Sequence, residues 1–256
     1  MRIINSIIMA FSMFSKIPMP MINWQKENMR YMLCAFPLVG GVTGLLVFLW
    51  WKAAAALMLG NFIFSAGVLL LPLALTGGIH VDGFADTVDA LSSHASPERK
   101  REILKDPHTG AFAVIAVSAY MIAYTALISE INFDLNIALL FIPLHMLSRN
   151  MAALATLVFP SGSGSGLLAT FRGSASRTSV YWLIAAAVAI CAAAFMLSIF
   201  GALCLIVGAG VSFIYLCIIA KKSFGGMSGD LAGFYVQVSE LLMVFCLVFL
   251  QKVVIL

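Results

Sequence analysis

The sequence predicts an all-α fold, a polytopic integral membrane bundle of about seven transmembrane helices that forms a single domain over residues 1–256. Hydrophobic residues make up 62% of the chain and charged residues only 10%, and the mean hydropathy is +1.04. A soluble domain has about 25% charged residues, so this composition indicates a chain that lies in a bilayer. Apolar runs long enough to cross a membrane recur along most of its length.

The first 30 residues are mixed apolar and basic, which predicts an interfacial or re-entrant segment rather than a full span. The first span is expected at about 31–51, where Trp50, Trp51 and Lys52 end the apolar run as interface anchors. Six further spans are expected at about 54–75, 111–129, 136–158, 180–199, 201–220 and 233–254.

Lysine and arginine concentrate in the N-terminal segment and in the loops after the second, fourth and sixth spans, whereas only Lys52 and Lys252 lie opposite. The positive-inside rule therefore predicts that these loops face the cytoplasm from the inner membrane and that the C-terminus lies outside. In the second loop, Ser96 is a predicted N-cap for a short helix over residues 97–105. The Ser/Gly run at 161–166 favours a flexible linker over a phosphate cradle.

The second loop also contains the stretch Gly77-Gly78-Ile79-His80-Val81-Asp82-Gly83-Phe84-Ala85-Asp86-Thr87-Val88-Asp89. If the part from Gly83 onward is helical, Asp82, Asp86 and Asp89 fall on one stripe of the helix. Ionised groups this close need a cation between them, and oxygen ligands suit Mg²⁺ or Mn²⁺. The alternative is a solvated helix face, which the low helix propensity of Asp disfavours.

Other residues near this stripe are candidates for binding a substrate. Gly77 and Gly78 would let the backbone approach a ligand closely, and exposed backbone N–H groups there would bind an anion. His80 is as well placed to be a ligand, a proton shuttle or a phosphate donor as to be structural. The basic residues from Arg99 to Lys105 favour a solvated face, from which one or two side chains reach phosphates.

A second group of polar residues precedes and enters the last span. Gly225 and Gly226 form another glycine doublet, Ser228 follows them, and the Gly-rich loop favours a site role for Asp230. Glu240 lies inside an otherwise apolar helix, where an ionisable group is costly and predicts either a site role or an interior partner. Arg149, near the end of the fourth span, likewise needs an anionic partner.

Together, a carboxylate-held divalent metal, basic residues and glycine nests at one membrane face indicate transfer of a phosphorylated group. A carboxylate that the metal does not use would take the proton of an attacking hydroxyl. No feature of the sequence indicates a nucleic-acid partner, and the oligomeric state is left open.

The stretch from Gly77 to Asp89 resembles the signature of the cobalamin synthase family, the adenosylcobinamide-GDP ribazoletransferases. Further similarity covers residues 12–20, 36–40 and 225–240, Lys105-Asp106 with Gly110, and Ser148-Arg149. Gln237 departs from the pattern, which has Glu at that position, so the resemblance gives more weight to Glu240.

The resemblance implies a bilayer enzyme in which a hydroxyl of α-ribazole, or of α-ribazole 5′-phosphate, attacks adenosylcobinamide-GDP and releases GMP, with Mg²⁺ as cofactor. The implied metal ligands are Asp82, Asp86, Asp89 and Asp230. The implied catalytic residues are Asp82, Asp86 and Asp106. The implied substrate-binding residues are His80, Gly77, Gly78, Lys105, Arg149, Gly225, Gly226, Ser228 and Glu240.

Two other functions are weighed against this one. A CDP-alcohol phosphotransferase that makes a phospholipid would have its first two Asp three residues apart, but Asp82 and Asp86 are four apart. A divalent-cation carrier would place acids near the middle of several spans, where only Glu240 is a candidate.

Overall fold

The structure is a computed structural model that describes residues 2–162 and 167–254. Over these residues it is all-α, without a strand, which confirms the predicted fold class. The helices are α1 (Arg2–Phe14), α2 (Lys26–Met29), α3 (Met32–Ala56), α4 (Asn61–Thr76), α5 (Ile79–Ser92), α6 (Pro97–Ile103), α7 (Ala111–Glu130), α8 (Leu135–Val158), α9 (Leu167–Ser174), α10 (Ser179–Leu197), α11 (Ile199–Ser223) and α12 (Gly229–Val254).

Six helices in the described part of the chain are long and apolar enough to cross a membrane: α3, α7, α8, α10, α11 and α12. They lie where the sequence predicted the first, third, fourth, fifth, sixth and seventh spans. The second predicted span is different. It begins later, at Asn61, has only 16 residues, and is followed by α5 at an angle of 96°.

Two consecutive glycines produce this bend. Gly77 and Gly78 both have left-handed backbones, with φ of 65° and 78°, a conformation that residues with a Cβ rarely adopt. Their N–H groups close α4 by donating to Ala74 O at 3.3 Å and Leu73 O at 3.1 Å. The chain therefore turns sharply before the acidic residues, and α5 does not continue the direction of α4.

Although α4 is short, it joins the two ends of the bundle. At one end, Asn61 Nδ2 donates to Ser129 O at 2.8 Å, in the last turn of α7. At the other end, Lys16 N donates to Leu75 O at 2.7 Å. We call the end with Lys16 and Leu75 the site end, and the end with Asn61 and Ser129 the distal end. Sixteen residues span about 24 Å, somewhat less than a typical hydrocarbon core of ~30 Å.

The packing of α3 on α8 supports seven crossings. A Cβ on Gly40 would overlap the backbone of His145, whereas a Cβ on Gly44 would overlap that of Ile142. In these contacts the residue numbers increase along α3 while they decrease along α8, so the two helices are antiparallel. Two antiparallel spans must be separated by an even number of membrane crossings. Since α7 crosses the membrane between α3 and α8, α4 must cross it as well. Small residues at such contacts let membrane helices approach closely.

Helix α5 packs on α12 and α7 at the site end. A Cβ on Gly83 would lie 2.8 Å from Asp230 O, and a Cβ on Gly233 would lie 3.0 Å from His80 O. Phe84 stacks on Phe234 at 5.7 Å between ring centroids. The backbones of α5 and α12 are therefore almost in contact where the acidic residues of the two helices meet.

The loops at the site end bind one another. Met227 N donates to Pro160 O at 2.7 Å, and Gly162 N donates to Met227 O at 3.0 Å.

The predicted helix α6 begins after Ser96, whose hydroxyl accepts from Arg99 N at 3.4 Å. Helix α1, at 13 residues, is too short to cross a membrane and packs on α3. Residues 163–166 of the Ser/Gly run lie outside the described residues.

Candidate active site

Four aspartates gather at the site end, and we call them the acidic group: Asp82, Asp86, Asp89 and Asp230. Helix α5 begins at Ile79, four residues earlier than expected, so Asp82 is part of the helix. The stripe of three aspartates predicted from the spacing therefore forms on α5. Asp230, in the first turn of α12, comes beside them because Gly83 lies against its backbone.

The carboxylates of this group repel one another. The pKa of Asp86 is raised to about 6 by its partial burial and by the negative charges of Asp82, Asp230 and Asp89, in that order. No basic side chain forms an ion pair with any of the four in the described part of the chain. This concentration of uncompensated negative charge favours binding of a cation.

The side chains do not form a closed coordination site as they stand. Among the described residues, no three His, Cys, Asp or Glu side chains converge closely enough to hold a metal ion. The Asp89 carboxylate instead lies against Gly110, at the start of α7. The donor chemistry fits Mg²⁺, since all four groups are carboxylates, but coordination requires rotation of these side chains about their χ1 and χ2 bonds.

A cavity of about 390 Å³, which we call the main cavity, opens beside the acidic group. Asp82 and Asp230 line it together with Ser228. Much of the remaining wall is apolar and comes from several helices and loops. Its aromatic members are Phe14, Phe36, Phe171 and Phe224. A cavity with an aromatic wall and a charged side suits a planar heterocycle attached to a polar or phosphorylated group.

His80 lies in the wall of the main cavity and is 5% exposed. Its ring is 5.5 Å from that of Phe36 and 6.3 Å from that of Phe14. Burial lowers the pKa of His80 to about 3, so the imidazole is neutral. Nε2 is buried and has no hydrogen-bond partner among the described residues. A buried polar atom of this kind needs a partner, which a bound ligand would supply.

Two basic side chains of the loop between α5 and α7 line the main cavity, Arg101 and Lys105. Arg101 Nη1 donates to Phe224 O at 2.9 Å, which joins this loop to the one before α12. Lys105 is exposed and forms no ion pair among the described residues. Of the second glycine doublet, Gly226 lines the cavity, whereas Gly225 lies against Arg101.

Arg149 and Glu240 lie elsewhere, in the interior of the bundle. They form a buried ion pair between α8 and α12, so the partner that each was predicted to need is the other. His145 Nδ1 is 3.0 Å from Glu240 Oε1, and Ser148 Oγ donates to the same oxygen at 2.8 Å. We call these four residues the paired cluster. None of them lines the main cavity.

Asp106 is exposed and does not line the main cavity. Its carboxylate accepts from His108 N at 3.0 Å and is 2.7 Å from His108 Nδ1. These contacts lower the pKa of Asp106. The structure thus gives this residue no place beside the acidic group, and its predicted catalytic role stays a prediction.

Sequence reasoning missed several residues of the site. Arg101 was grouped with a solvated face, yet it lines the cavity together with Lys105, four residues along the same basic stretch. The four aromatic residues of the wall come from distant parts of the chain and had no local signal. Outside the cavity, no sequence pattern indicated that His145 contacts Glu240.

The comparisons with known proteins agree with the resemblance. The sequence profile of a family described as Cobalamin-5-phosphate synthase matches residues 6–248. An adenosylcobinamide-GDP ribazoletransferase of Lachnoclostridium phytofermentans is 36% identical over 262 residues, which cover 100% of this chain and 97% of the relative. A protein of the same name from Clostridium botulinum is 33% identical, over 95% of this chain and 97% of the relative. Another from Listeria monocytogenes is also 33% identical, over 96% of this chain and 98% of the relative.

No solved structure gives a significant match. The family profile covers nearly the whole chain, and the relatives align over almost their full lengths. The chain therefore belongs to the cobalamin-5-phosphate synthase family.

Proposed function

We propose that this chain is a Mg²⁺-dependent transferase that joins adenosylcobinamide-GDP to α-ribazole, or to α-ribazole 5′-phosphate, and releases GMP. The observation that carries the proposal is the position of four carboxylates beside a cavity at the end of the bundle where the basic loops gather. The names of the relatives support the substrates. The basic loops support a site on the cytoplasmic face of the inner membrane.

The residues have separate parts in this reaction. Asp82, Asp86, Asp89 and Asp230 would hold Mg²⁺, which when bound supplies positive charge to a diphosphate. Lys105 and Arg101 would attract the phosphates at the cavity wall, and the aromatic residues would pack against a base. His80 Nε2, buried and without a protein partner, would form a hydrogen bond with the substrate.

The chemistry replaces the phosphoanhydride bond of the donor by a new phosphate ester bond. An oxygen of the α-ribazole ribose forms a bond to the cobinamide-linked phosphorus, and the bond from that phosphorus to the oxygen bridging it to GMP breaks. The hydroxyl proton passes to a carboxylate, for which the candidates are the acidic group and Asp106. The aromatic wall of the main cavity suits the nucleotide or nucleoside part of a substrate.

The experiment is to incubate the purified protein in detergent or nanodiscs with adenosylcobinamide-GDP, α-ribazole and Mg²⁺ and to measure released GMP. We expect GMP to appear together with the joined corrinoid, and neither to appear with excess EDTA. A parallel reaction with a CDP-activated lipid and an alcohol acceptor tests the phospholipid alternative. Folded protein that releases no GMP, or that releases CMP from the lipid, would overturn the proposal.

The carrier alternative receives less support. A cation path through the bundle needs acids that are free to bind the ion, but Glu240 is already paired with Arg149. Uptake of Mg²⁺ or Mn²⁺ into proteoliposomes measures this alternative directly. We expect no uptake above that of protein-free liposomes.

A further inference from the structure

A second opening lies on the other side of Asp82. It is a groove of about 640 Å³, more open than the main cavity, and we call it the side groove. Among the residues that the structure describes, Asp82 is the only charged one that lines both openings. A residue in the wall between two openings can be reached from both, which matters for an enzyme that brings two substrates together.

Within the described ranges 2–162 and 167–254, Lys16 is the only basic residue that lines the side groove. Its backbone N–H donates to Leu75 O at 2.7 Å, which holds the residue at the end of α4. The side chain lies across Gly77, where a Cβ would overlap its Cε atom. The side chain is exposed and forms no ion pair among the described residues. The ammonium group is therefore free to bind an anion.

The start of α5 adds to this positive potential. Gly78 and Ile79 line the side groove. The helical hydrogen bonds of α5 begin with Asp82, whose N–H donates to Gly78 O at 2.9 Å. The N–H groups before it belong to the first turn, where helices leave backbone donors unsatisfied and carry partial positive charge. Ser12, exposed in the same groove, adds a hydroxyl.

We propose that the side groove binds a phosphate group, held by the Lys16 ammonium and the first turn of α5, while the nucleoside or nucleotide part of the other substrate occupies the main cavity. This inference rests on the proposed function, because it assigns the two openings to its two substrates. The phosphate belongs either to the diphosphate of adenosylcobinamide-GDP or to α-ribazole 5′-phosphate. Both place a phosphate next to Asp82, where a cation held by the acidic group would offset the repulsion.

The test compares Lys16→Met, which removes the charge, with Lys16→Arg, which keeps it. Lys222→Met is the matched control, because Lys222 is exposed at the site end and lines neither opening. KM is measured for adenosylcobinamide-GDP, α-ribazole and α-ribazole 5′-phosphate. Binding of inorganic pyrophosphate in the presence of Mg²⁺ is measured by calorimetry, without turnover.

We expect Lys16→Met to weaken pyrophosphate binding roughly tenfold or more, the effect of losing a charged hydrogen bond, while Lys16→Arg and Lys222→Met stay within about threefold of the native protein. A matching rise in KM for α-ribazole 5′-phosphate alone identifies the acceptor as the source of the phosphate. A rise in KM for adenosylcobinamide-GDP with both acceptors identifies the donor.

Unchanged pyrophosphate affinity together with unchanged KM for both phosphorylated substrates in Lys16→Met would overturn the inference. Failure of the proposed function gives a different result. In that case the native protein releases no GMP, yet its pyrophosphate affinity still depends on Lys16.

Discussion

Two groups of charged side chains lie in this bundle, and they differ in how their charge is balanced. In the paired cluster, the Glu240 carboxylate is bonded to Arg149, to Ser148 and to His145. In the acidic group, the carboxylates repel one another and have no basic partner among the described residues. The first group is buried between α8 and α12, whereas the second lies beside the openings at the site end.

This difference separates a structural role from a binding role. A buried pair balances its own charges and holds two helices in one register, so it needs no counter-ion from outside. A group of like charges is stable only when a cation or protons reduce the repulsion. Both groups interrupt the apolar pattern of the sequence. Of the two, only the acidic group carries charge without an opposite partner among the described residues, and a bound cation would balance that charge.

The largest effect is expected from neutralising the acidic group. Asp82→Asn and Asp86→Asn each remove a candidate metal ligand while keeping the size of the side chain. We expect each to reduce the rate of GMP release by more than the roughly 10–100-fold that loss of a group supporting a metal ligand costs. The protein should remain folded, as measured by its elution as a single species in detergent.

One matched substitution controls this prediction, and a second tests Asp106 as the proton acceptor. Asp134→Asn changes the N-cap of α8, where Asn caps equally well, so activity should be unchanged. Asp106→Asn alters an exposed carboxylate bonded only to His108, and we expect most activity to remain. Native activity in Asp82→Asn or Asp86→Asn would remove the metal assignment, and a loss in Asp106→Asn as large as theirs would make Asp106 catalytic.

The next effect concerns the stability of the paired cluster. Arg149→Met or Glu240→Leu alone leaves one buried charge without its partner, which costs about 3–5 kcal/mol. The double variant removes both charges and should recover much of that loss. Thermal unfolding of the four proteins in the same detergent measures the coupling.

The same double variant separates structure from substrate binding. If it is stable and active, the pair serves only the fold. If it is stable but has lost activity, Arg149 and Glu240 also act on the substrate, as the sequence suggested. Single variants as stable as the native protein would contradict the structural role of the pair.

The smallest effect is expected from changing the distance between the two halves of the acidic group. Gly83→Ala places a Cβ 2.8 Å from Asp230 O, so α5 must move away from α12. We expect a loss of about 1–3 kcal/mol in stability and a fall in activity of at least tenfold, because Asp82 and Asp86 move relative to Asp230. Gly210→Ala is the control, since no atom lies within 4 Å of the added Cβ. Equal activity in both variants would mean that the spacing of α5 and α12 does not matter.

Much of the fold follows from composition alone. Apolar runs predicted six of the spans because a bilayer crossing demands a minimum length of apolar helix. The short α4 was expected to start earlier, since Leu57, Met58 and Leu59 are as apolar as a span but form the turn before it. The 96° bend depends on the left-handed backbones of Gly77 and Gly78, which the glycine doublet permits without requiring.

The site was predictable where its residues are close in sequence. Asp82, Asp86 and Asp89 lie on one stripe because helical periodicity places them there. The proximity of Asp230, the pairing of Arg149 with Glu240 and the aromatic wall depend on how distant helices pack. No local pattern encodes such contacts, although the cost of an ionisable group in a span did indicate that Arg149 needed a partner.

The glycine bend also bears on biogenesis. Trp50 Nε1 donates to Phe64 O at 2.9 Å, and the Trp50 indole lies over Gly67, so α4 is fastened to α3 along its first turns. The two helices are therefore suited to enter the membrane as one hairpin, whose tip is the apolar turn at residues 57–60. Because the chain turns at Gly77 and Gly78, the aspartates that follow never have to be dehydrated in order to insert α4.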